Sequence, residues 1–364
     1  MTSPEDLIDY LEMVLARGGS DLHIAVGTPP AARIDGLVVP LAEDPLEPDD
    51  TRTLIFAILT ESQRSRLEND LELDFALHVD GLGRFRGNAH FTKSSVEAAF
   101  RHIPDSIPDL ADLGHGASVE RLCERSRGLV LVTGITGSGK TTTLASMVQR
   151  ILSRRECVAI TIEDPIEYIL HHGRGIVKQR QIGLDTHSFP NALRAALRQD
   201  PDVILVSELR DRETIQTAIT AAETGHLVIG TLHTIDAPKT IDRLVDVFPA
   251  EQQAQITTQL ANCLLAIVTQ RLIKREDAPG RVLASELMLN NNAIAATIRE
   301  RRVEQMLGLI EIGRAEGMHT LDASLAHLLV GGYISYEDAI AHCRDEEFIQ
   351  TAMQKHLRDQ SART

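Results

Sequence analysis

One glycine-rich segment carries the residues that are best suited to chemistry. Gly128–Thr143 reads GLVLVTGITGSGKTTT and contains the spacing Gly134-x-x-x-x-Gly139-Lys140-Thr141. An apolar, β-branched run precedes the glycines and a helix-forming stretch follows them, which is the order that a phosphate-binding loop requires. Glycines let backbone N–H groups face a phosphate, and the positive end of the next helix points at the same anion. The pattern predicts a loop that binds a nucleoside triphosphate.

Different residues of this loop are expected to bind the phosphates of ATP and the Mg²⁺ ion. Lys140 is expected to reach the β- and γ-phosphates, and the Thr141 hydroxyl is expected to ligate Mg²⁺. The residues predicted to contact the nucleotide here are Gly134, Thr136, Gly137, Ser138, Gly139, Lys140, Thr141 and Thr142.

Polar side chains also follow three later apolar runs, and they supply the remaining parts of a hydrolytic site. Glu163, Glu208 and His233 each stand where such a run ends, and the carboxyl ends of parallel strands share one edge of a sheet. Glu208 is predicted to be the Walker B carboxylate near Mg²⁺, Glu163 the general base or water-positioning group, and His233 a sensor of the γ-phosphate. A single acidic residue here is often only a helix cap, so the prediction rests on the set, with Lys140 as the fourth catalytic residue.

Several arginines lie near these groups in the sequence. Arg194 and Arg198 are four residues apart and therefore share a helix face, while Arg210 and Arg212 flank the turn that contains Glu208. A solvated helix face explains the pattern as well as a functional role does. The functional interpretation is that Arg194 and Arg210 report the state of the γ-phosphate to a neighbouring subunit.

Bulk properties argue against several classes of protein. The 364 residues carry a net charge of −15 and no basic tract, which disfavours a nucleic-acid translocase. The four cysteines form no CxxC pair, so a metal site or a disulfide framework is not expected. The N-terminus lacks the features of a signal peptide, and no apolar run reaches the ~20 residues of a membrane span. We therefore expect a cytoplasmic protein.

The pattern of elements predicts two domains. Residues 1–103 read as a mixed α+β domain with an antiparallel sheet and a hairpin turn at Asp35–Gly36, and 104–113, with two prolines, read as a linker. Residues 114–364 alternate apolar strands and helices, which predicts an α/β domain with a mostly parallel sheet. After Ala250 the chain is expected to be largely helical, with one hairpin around Asp277–Gly280.

Three segments carry a resemblance to a known family. ITIEDPIEY, NALRAALRQDPDVILVSELRD and TAAETGHLVIGTLHT resemble the acidic box, Walker B segment and histidine box of the type II/IV secretion ATPases, and more narrowly of the PilT group of type IV pilus retraction ATPases. The resemblance implies a PAS-like domain followed by a RecA-like domain. It also implies a homohexameric ATPase that docks at the inner membrane through a pilus platform protein, without binding nucleic acid or entering the membrane, and that works alone or beside a retraction paralogue.

The resemblance also assigns residue roles. Glu163 corresponds to the catalytic glutamate and Glu208 to the Walker B glutamate, while His226 and His233 correspond to the histidine box. In the first domain Arg86 and Arg101 resemble the arginines that reach the nucleotide phosphates.

The sequence departs from the family pattern in three places. Ile135 stands where proline is usual, Ser207 replaces a glycine before the Walker B glutamate, and residues 293–300 match only the ends of the retraction motif. The departures leave room for an accessory or regulatory nucleotide-binding paralogue of the retraction motor. A pilus assembly or secretion ATPase is a further alternative, although such proteins usually carry a four-cysteine zinc element that this sequence lacks.

Overall fold

The computed structural model describes residues 5–34, 36–104 and 106–361. They divide into two compact units, Met1–Ser106 and Ile107–Thr364, called unit 1 and unit 2 below. Asp35 of the predicted Asp35–Gly36 turn lies outside the described residues. Within the predicted linker, Leu110 is fully buried in a core cluster of unit 2.

Unit 1 is built on a six-stranded antiparallel sheet in the order β3-β2-β1-β6-β5-β4. Its elements are α1 (Asp6–Ala16), β1 (Asp21–Ile24), β2 (Ala31–Ile34), β3 (Leu37–Pro40), α2 (Pro48–Ile58), α3 (Glu61–Asp70), β4 (Glu72–Val79), β5 (Gly83–Thr92) and β6 (Ser95–Ile103). The apolar stripe of α1, with Leu7, Leu11 and Val14, packs with Phe85 and Phe100 of the sheet into one core. The predicted α+β unit with an antiparallel sheet is confirmed.

Unit 2 is built on a seven-stranded sheet in the order β13-β12-β7-β11-β10-β8-β9, in which only β13 runs antiparallel to its neighbour. The strands are β7 (Gly128–Thr133), β8 (Val158–Glu163), β9 (Ile176–Gln181), β10 (Val203–Val206), β11 (Leu227–Leu232), β12 (Leu264–Lys274) and β13 (Arg281–Leu289). Its α-helices are α4 (Ala117–Leu122), α5 (Lys140–Arg154), α6 (Phe189–Ala196), α7 (Arg212–Glu223), α8 (Ala237–Asp246), α9 (Ala250–Cys263), α10 (Asn292–Arg299), α11 (Met306–Ile312), α12 (Leu321–Val330), α13 (Tyr336–His342) and α14 (Glu346–Ser361).

The central strands of unit 2 are buried from both faces. Every residue of β7, β10 and β11 is buried, and two separate apolar clusters cover the two sides of the sheet. This burial explains why the strands read as nearly continuous apolar runs. The predicted α/β class with a mostly parallel sheet is confirmed, and the phosphate loop follows the central strand β7.

The chain after Ala250 is largely helical, and the hairpin predicted around Asp277–Gly280 joins β12 and β13. That these two strands extend the main sheet was not predicted. The apolar start of β12, Leu264–Val268, fits a buried helix as well as a strand, and periodicity does not separate the two. Strand β9 was not predicted, because its sequence IVKQRQ is short and polar. In the part of the chain that the structure describes, no helix is both long and apolar enough to cross a bilayer.

Candidate nucleotide-binding and catalytic site

The loop between β7 and α5 has the backbone of a phosphate cradle. Gly134, Gly137 and Gly139 have φ angles of +141°, +79° and +85°, a region that side chains disfavour. A Cβ at Gly134 would lie 2.4 Å from the carbonyl oxygen of Gln270, so this position also has no room for a side chain. Thr136 and Gly137 are exposed at the tip of the loop, while Ser138 is buried.

Lys140, the first residue of α5, turns back over the loop. Its Nζ donates to the carbonyl oxygens of Gly134 at 2.8 Å and Ile135 at 3.0 Å, and it lies 3.5 Å from Nδ1 of His233. Burial lowers the pKa of Lys140, and the negative charge of Glu208 opposes that shift. A phosphate would therefore replace two neutral carbonyl acceptors with charged ones, which form stronger hydrogen bonds with an ammonium group.

Glu208 follows β10 and lies between two basic side chains. Its Oε1 accepts from Nε of Arg210 at 2.6 Å and lies 3.4 Å from Nε2 of His233. Burial alone would raise the pKa of Glu208, but the hydrogen bond and charge of Arg210, together with His233, bring that pKa below its usual value. Glu208 is therefore an ionised carboxylate at neutral pH, and His233 connects it to Lys140.

Glu163 is the last residue of β8 and is buried. Its Oε1 accepts from Oγ1 of Thr161 at 2.6 Å and from Nε2 of Gln179 at 3.0 Å. A small cavity of about 10 Å³ has Glu163, Thr141 and Ser207 in its wall. Ser207, which stands where the family has glycine, thus shares this cavity with the carboxylate and the predicted Mg²⁺ ligand.

The donor set at this edge fits Mg²⁺ held together with a nucleotide. Among the described residues no group of three or more histidine, cysteine or acidic side chains is arranged to hold a metal. Magnesium is usually bound by one or two protein oxygens together with phosphate oxygens and water. The Thr141 hydroxyl and the Glu208 carboxylate are the groups that would hold it here.

Two predicted site residues are not brought to the loop. The prediction that His226 lies at the nucleotide needs correction, because this residue precedes β11 and so lies at the amino edge of the sheet. There its carbonyl oxygen accepts from Gly128 N–H, and its Nδ1 pairs with the carbonyl oxygen of Ala221 at 2.9 Å. Arg194 forms an ion pair with Glu213 of α7 rather than contacting the loop.

The two arginines of unit 1 lie directly opposite each other on β5 and β6. Arg101 Nε donates to Asp21 at 2.8 Å, and Arg86 lies 3.7 Å from Asp74. Burial raises the pKa of Asp21, but its hydrogen bonds from Ser20 and Arg101 bring the pKa below its usual value. Like charges opposite each other in a sheet are unfavourable, and the aspartates compensate this pair. The role of both arginines at a nucleotide stays a prediction.

Side chains that the sequence analysis missed support the predicted groups. Gln179 orients Glu163 from β9, the Tyr168 hydroxyl pairs with Oγ1 of Thr142 at 3.0 Å, and Arg281 of β13 lies 3.4 Å from the carbonyl oxygen of Gly137. No local sequence signal marks them, because each contact depends on how segments distant in the sequence pack together.

Comparison with known proteins decides the family. A family model described as type II/IV secretion system protein matches residues 95–329, more than half of the chain. The chain belongs to the type II/IV secretion system protein family. This secretion-family chain is 46% identical to the type IV pilus retraction ATPase PilT of Pseudomonas aeruginosa over 334 residues, covering 92% of this chain and 97% of PilT.

Two further members of the secretion family are similar along nearly the whole chain. The type IV pilus ATPase PilU of P. aeruginosa is 40% identical over 332 residues, covering 91% of this chain and 87% of PilU. A crystal structure of the pilus retraction motor PilT with bound ADP matches with a TM-score of 0.89 and 45% identity, covering 95% of this chain and 98% of that one.

The departures from the secretion-family pattern now have structural positions. The Ile135 side chain is 51% exposed, and its carbonyl accepts from Lys140, so the replacement of proline leaves the backbone contact in place. The altered retraction motif forms helix α10, in which Ile294 and Ile298 are fully buried and the Arg299 guanidinium donates to Asn262.

Proposed function

We propose that this chain is a Mg²⁺-dependent ATPase that powers the retraction of type IV pili as a homohexameric ring. One observation carries the proposal: Lys140, His233 and Glu208 form a continuous polar chain at the edge of the sheet where the phosphate loop lies. The likeness to PilT along almost the whole chain supports the pilus as the load. In this proposal the ring works on the cytoplasmic face of the inner membrane and docks on the pilus platform protein.

The residues divide the reaction as follows. Gly134–Thr142 provides backbone N–H groups and the Lys140 ammonium for the phosphates of ATP. Thr141 and Glu208 would hold Mg²⁺, which would supply positive charge beside the transferred phosphoryl group. Glu163 takes the proton of the attacking water, while Thr161 and Gln179 fix its orientation. His233, which contacts both Lys140 and Glu208, changes partners when the γ-phosphate leaves.

Groups outside the phosphate loop link ATP hydrolysis to movement of the protein in this proposal. In this proposal Arg86 and Arg101 of unit 1 engage the nucleotide phosphates, as in the family that the sequence resembles. Loss of the γ-phosphate removes charge that these guanidinium groups bind, so hydrolysis weakens the hold of unit 1 on the nucleotide. In unit 2 the Arg210 guanidinium, which pairs with Glu208, is a further group that responds to the same loss of charge in this proposal.

A second candidate function is an accessory ATPase that works beside a principal retraction motor. Ser207 before the Walker B glutamate and the altered sequence of α10 favour it. Both candidates require the same site, and they differ in whether the protein suffices for retraction.

One experiment on the purified full chain tests the proposal. ATP turnover is measured with and without Mg²⁺, and the native mass is measured with ADP present. Mg²⁺-dependent turnover and a mass of six subunits are expected, whereas turnover no higher than background contradicts the motor function. Retraction by a strain in which this gene is the sole retraction ATPase then separates the two candidates, because an accessory protein does not restore it alone.

A further inference from the structure

Gln270 lies under both ends of the phosphate loop. It belongs to β12, the parallel neighbour of β7, and follows directly on the register pair Thr269 and Thr133, whose hydroxyls lie 2.8 Å apart. A Cβ at Gly134 would lie 2.4 Å from the Gln270 carbonyl oxygen, and a Cβ at Gly139 would lie 3.3 Å from its Nε2. The first and last glycines of the loop therefore both pack on this one residue.

The carboxamide of Gln270 fixes one peptide unit of the loop. Its Nε2 donates to the carbonyl oxygen of Ser138 at 2.7 Å, and the side chain is 1% exposed. The opposite orientation of the carboxamide would set Oε1 against the same carbonyl oxygen, so the donor must face Ser138. In a trans peptide the C=O and N–H groups point in opposite directions. Because Ser138 C=O points at β12, Gly139 N–H points away from it.

Pointing away from β12, the Gly139 N–H is open to a phosphate. Gly139 immediately precedes Lys140 and the start of α5, where backbone N–H groups have no acceptor within the helix. Throughout the described residues, the structure gives Gly139 N–H no protein acceptor. An N–H group held in this direction at a helix N-terminus is a preformed donor for a phosphate oxygen.

Among the described residues, two polar atoms at this contact are not paired. Within the described part of the chain, Gln270 Oε1 and Ser138 Oγ are both buried and have no hydrogen-bond partner. An apolar side chain of the same size at position 270 would leave no unpaired Oε1, but it would also remove the donor to the Ser138 carbonyl oxygen. A carboxamide whose Nε2 is paired and whose Oε1 is not fits this position if the Nε2 donor is needed to orient the loop.

We infer that Gln270 is a positioning residue for nucleotide binding, which orients Gly139 N–H toward the phosphates through its hydrogen bond to Ser138. The inference rests on the proposed ATPase function. It predicts that loss of the Gln270 donor weakens binding of phosphate groups while the base and ribose contacts stay unchanged.

The test compares Gln270→Met with a matched variant in the full chain. Gln253→Met removes the same type of bond, from Nε2 to the carbonyl of Phe248 at 3.0 Å, at a site in α9 outside the loop. Titration with a fluorescent ADP analogue, and competition by pyrophosphate, should show an affinity loss of about tenfold for Gln270→Met with both ligands. The KM for ATP should rise by the same factor with kcat changed less than threefold. Gln253→Met should bind as the wild type does.

A second variant keeps the test decisive if Gln270→Met folds poorly. Gln270→Glu has the same shape, but the ionised carboxylate has no donor for Ser138, whereas its protonated form does. Its ADP affinity relative to the wild type should therefore recover as the pH falls from 8 to 6. The unfolding midpoint of this variant is measured over the same pH range: an affinity that recovers independently of the midpoint supports the inference, and one that merely follows the midpoint contradicts it.

The outcomes separate the inference from the proposed function. If the wild type binds and hydrolyses ATP while both Gln270 variants bind ADP and pyrophosphate as the wild type does, the inference is wrong and the function stands. If the wild type neither binds ADP nor turns over ATP, the function fails, and the inference fails with it.

Discussion

Glu286 and Arg344 form a buried ion pair that joins the sheet of unit 2 to its C-terminal helices. Glu286 in β13 is 0% exposed, and its carboxylate accepts from Arg344 at 2.9 Å and from the N–H of Ala237, the first residue of α8, at 2.9 Å. Arg344→Ala would leave this carboxylate buried with one hydrogen bond and no counter-charge. The loop that bears His233 leads directly into α8, so the pair also supports the proposed site.

The size of the effect follows from the burial of the two partners. Removing one partner of a buried pair costs about 3–5 kcal/mol, and the 26% exposure of the Arg344 side chain lowers our expectation to about 2–4 kcal/mol. For a domain of this size each kcal/mol shifts the unfolding midpoint by roughly 2–4 °C. Calorimetry should therefore show the unit 2 transition lowered by roughly 4–16 °C at pH 8.

The pH dependence gives the sharper test. Burial raises the pKa of Glu286, against the opposing charge of Arg344, so the stability that its protonation contributes is present at low pH and is lost as the pH rises through the folded-state pKa. Without Arg344 that pKa rises further. The deficit of Arg344→Ala should therefore shrink between pH 8 and pH 5.5, and adding Glu286→Gln should recover much of it at pH 8. A deficit below 1 °C, or one that is equal at both pH values, would refute this reasoning.

Three further predictions concern the proposed site. Lys140→Ala should abolish detectable ADP binding in the fluorescence titration, because it removes the only charge that the loop presents to the phosphates; binding within threefold of the wild type would contradict this role. Arg210→Ala should move the acidic limb of the kcat profile to higher pH, because Arg210 is the main group that lowers the pKa of Glu208; an unshifted limb would show that Glu208 does not control the rate. Arg101→Ala should raise the KM for ATP and lower kcat. Arg101→Lys keeps the charge beside Asp21 and is the control for the stability of unit 1. Unchanged kinetics in Arg101→Ala would exclude the proposed contact of Arg101 with the nucleotide.

The sequence predicted the parts of the site that follow from local spacing. The loop from Gly134 to Thr141 and the polar residues at the ends of β8, β10 and β11 were recognisable because an apolar run shows where a buried strand ends. The geometry then adds what spacing does not contain, namely that His233 reaches both Lys140 and Glu208.

The residues that were missed depend on strand neighbours distant in the sequence. Gln179 lies on the polar strand β9, and Gln270 lies on β12, whose apolar start resembles a helix, so neither could be placed beside the site from local pattern alone. His226 shows the reverse error. It is seven residues before His233, but a six-residue strand between them sends the two side chains to opposite edges of the sheet.

Glu163 offers the most direct test of the account, because the proposal makes it the base for ATP hydrolysis. Turnover by the wild type and by Glu163→Gln is measured at saturating ATP and Mg²⁺, and ADP affinity is measured on the same samples. We predict clear turnover by the wild type, a loss of about 10²-fold or more in the variant, and ADP affinity within threefold of the wild type. Turnover by Glu163→Gln close to that of the wild type would contradict the central claim.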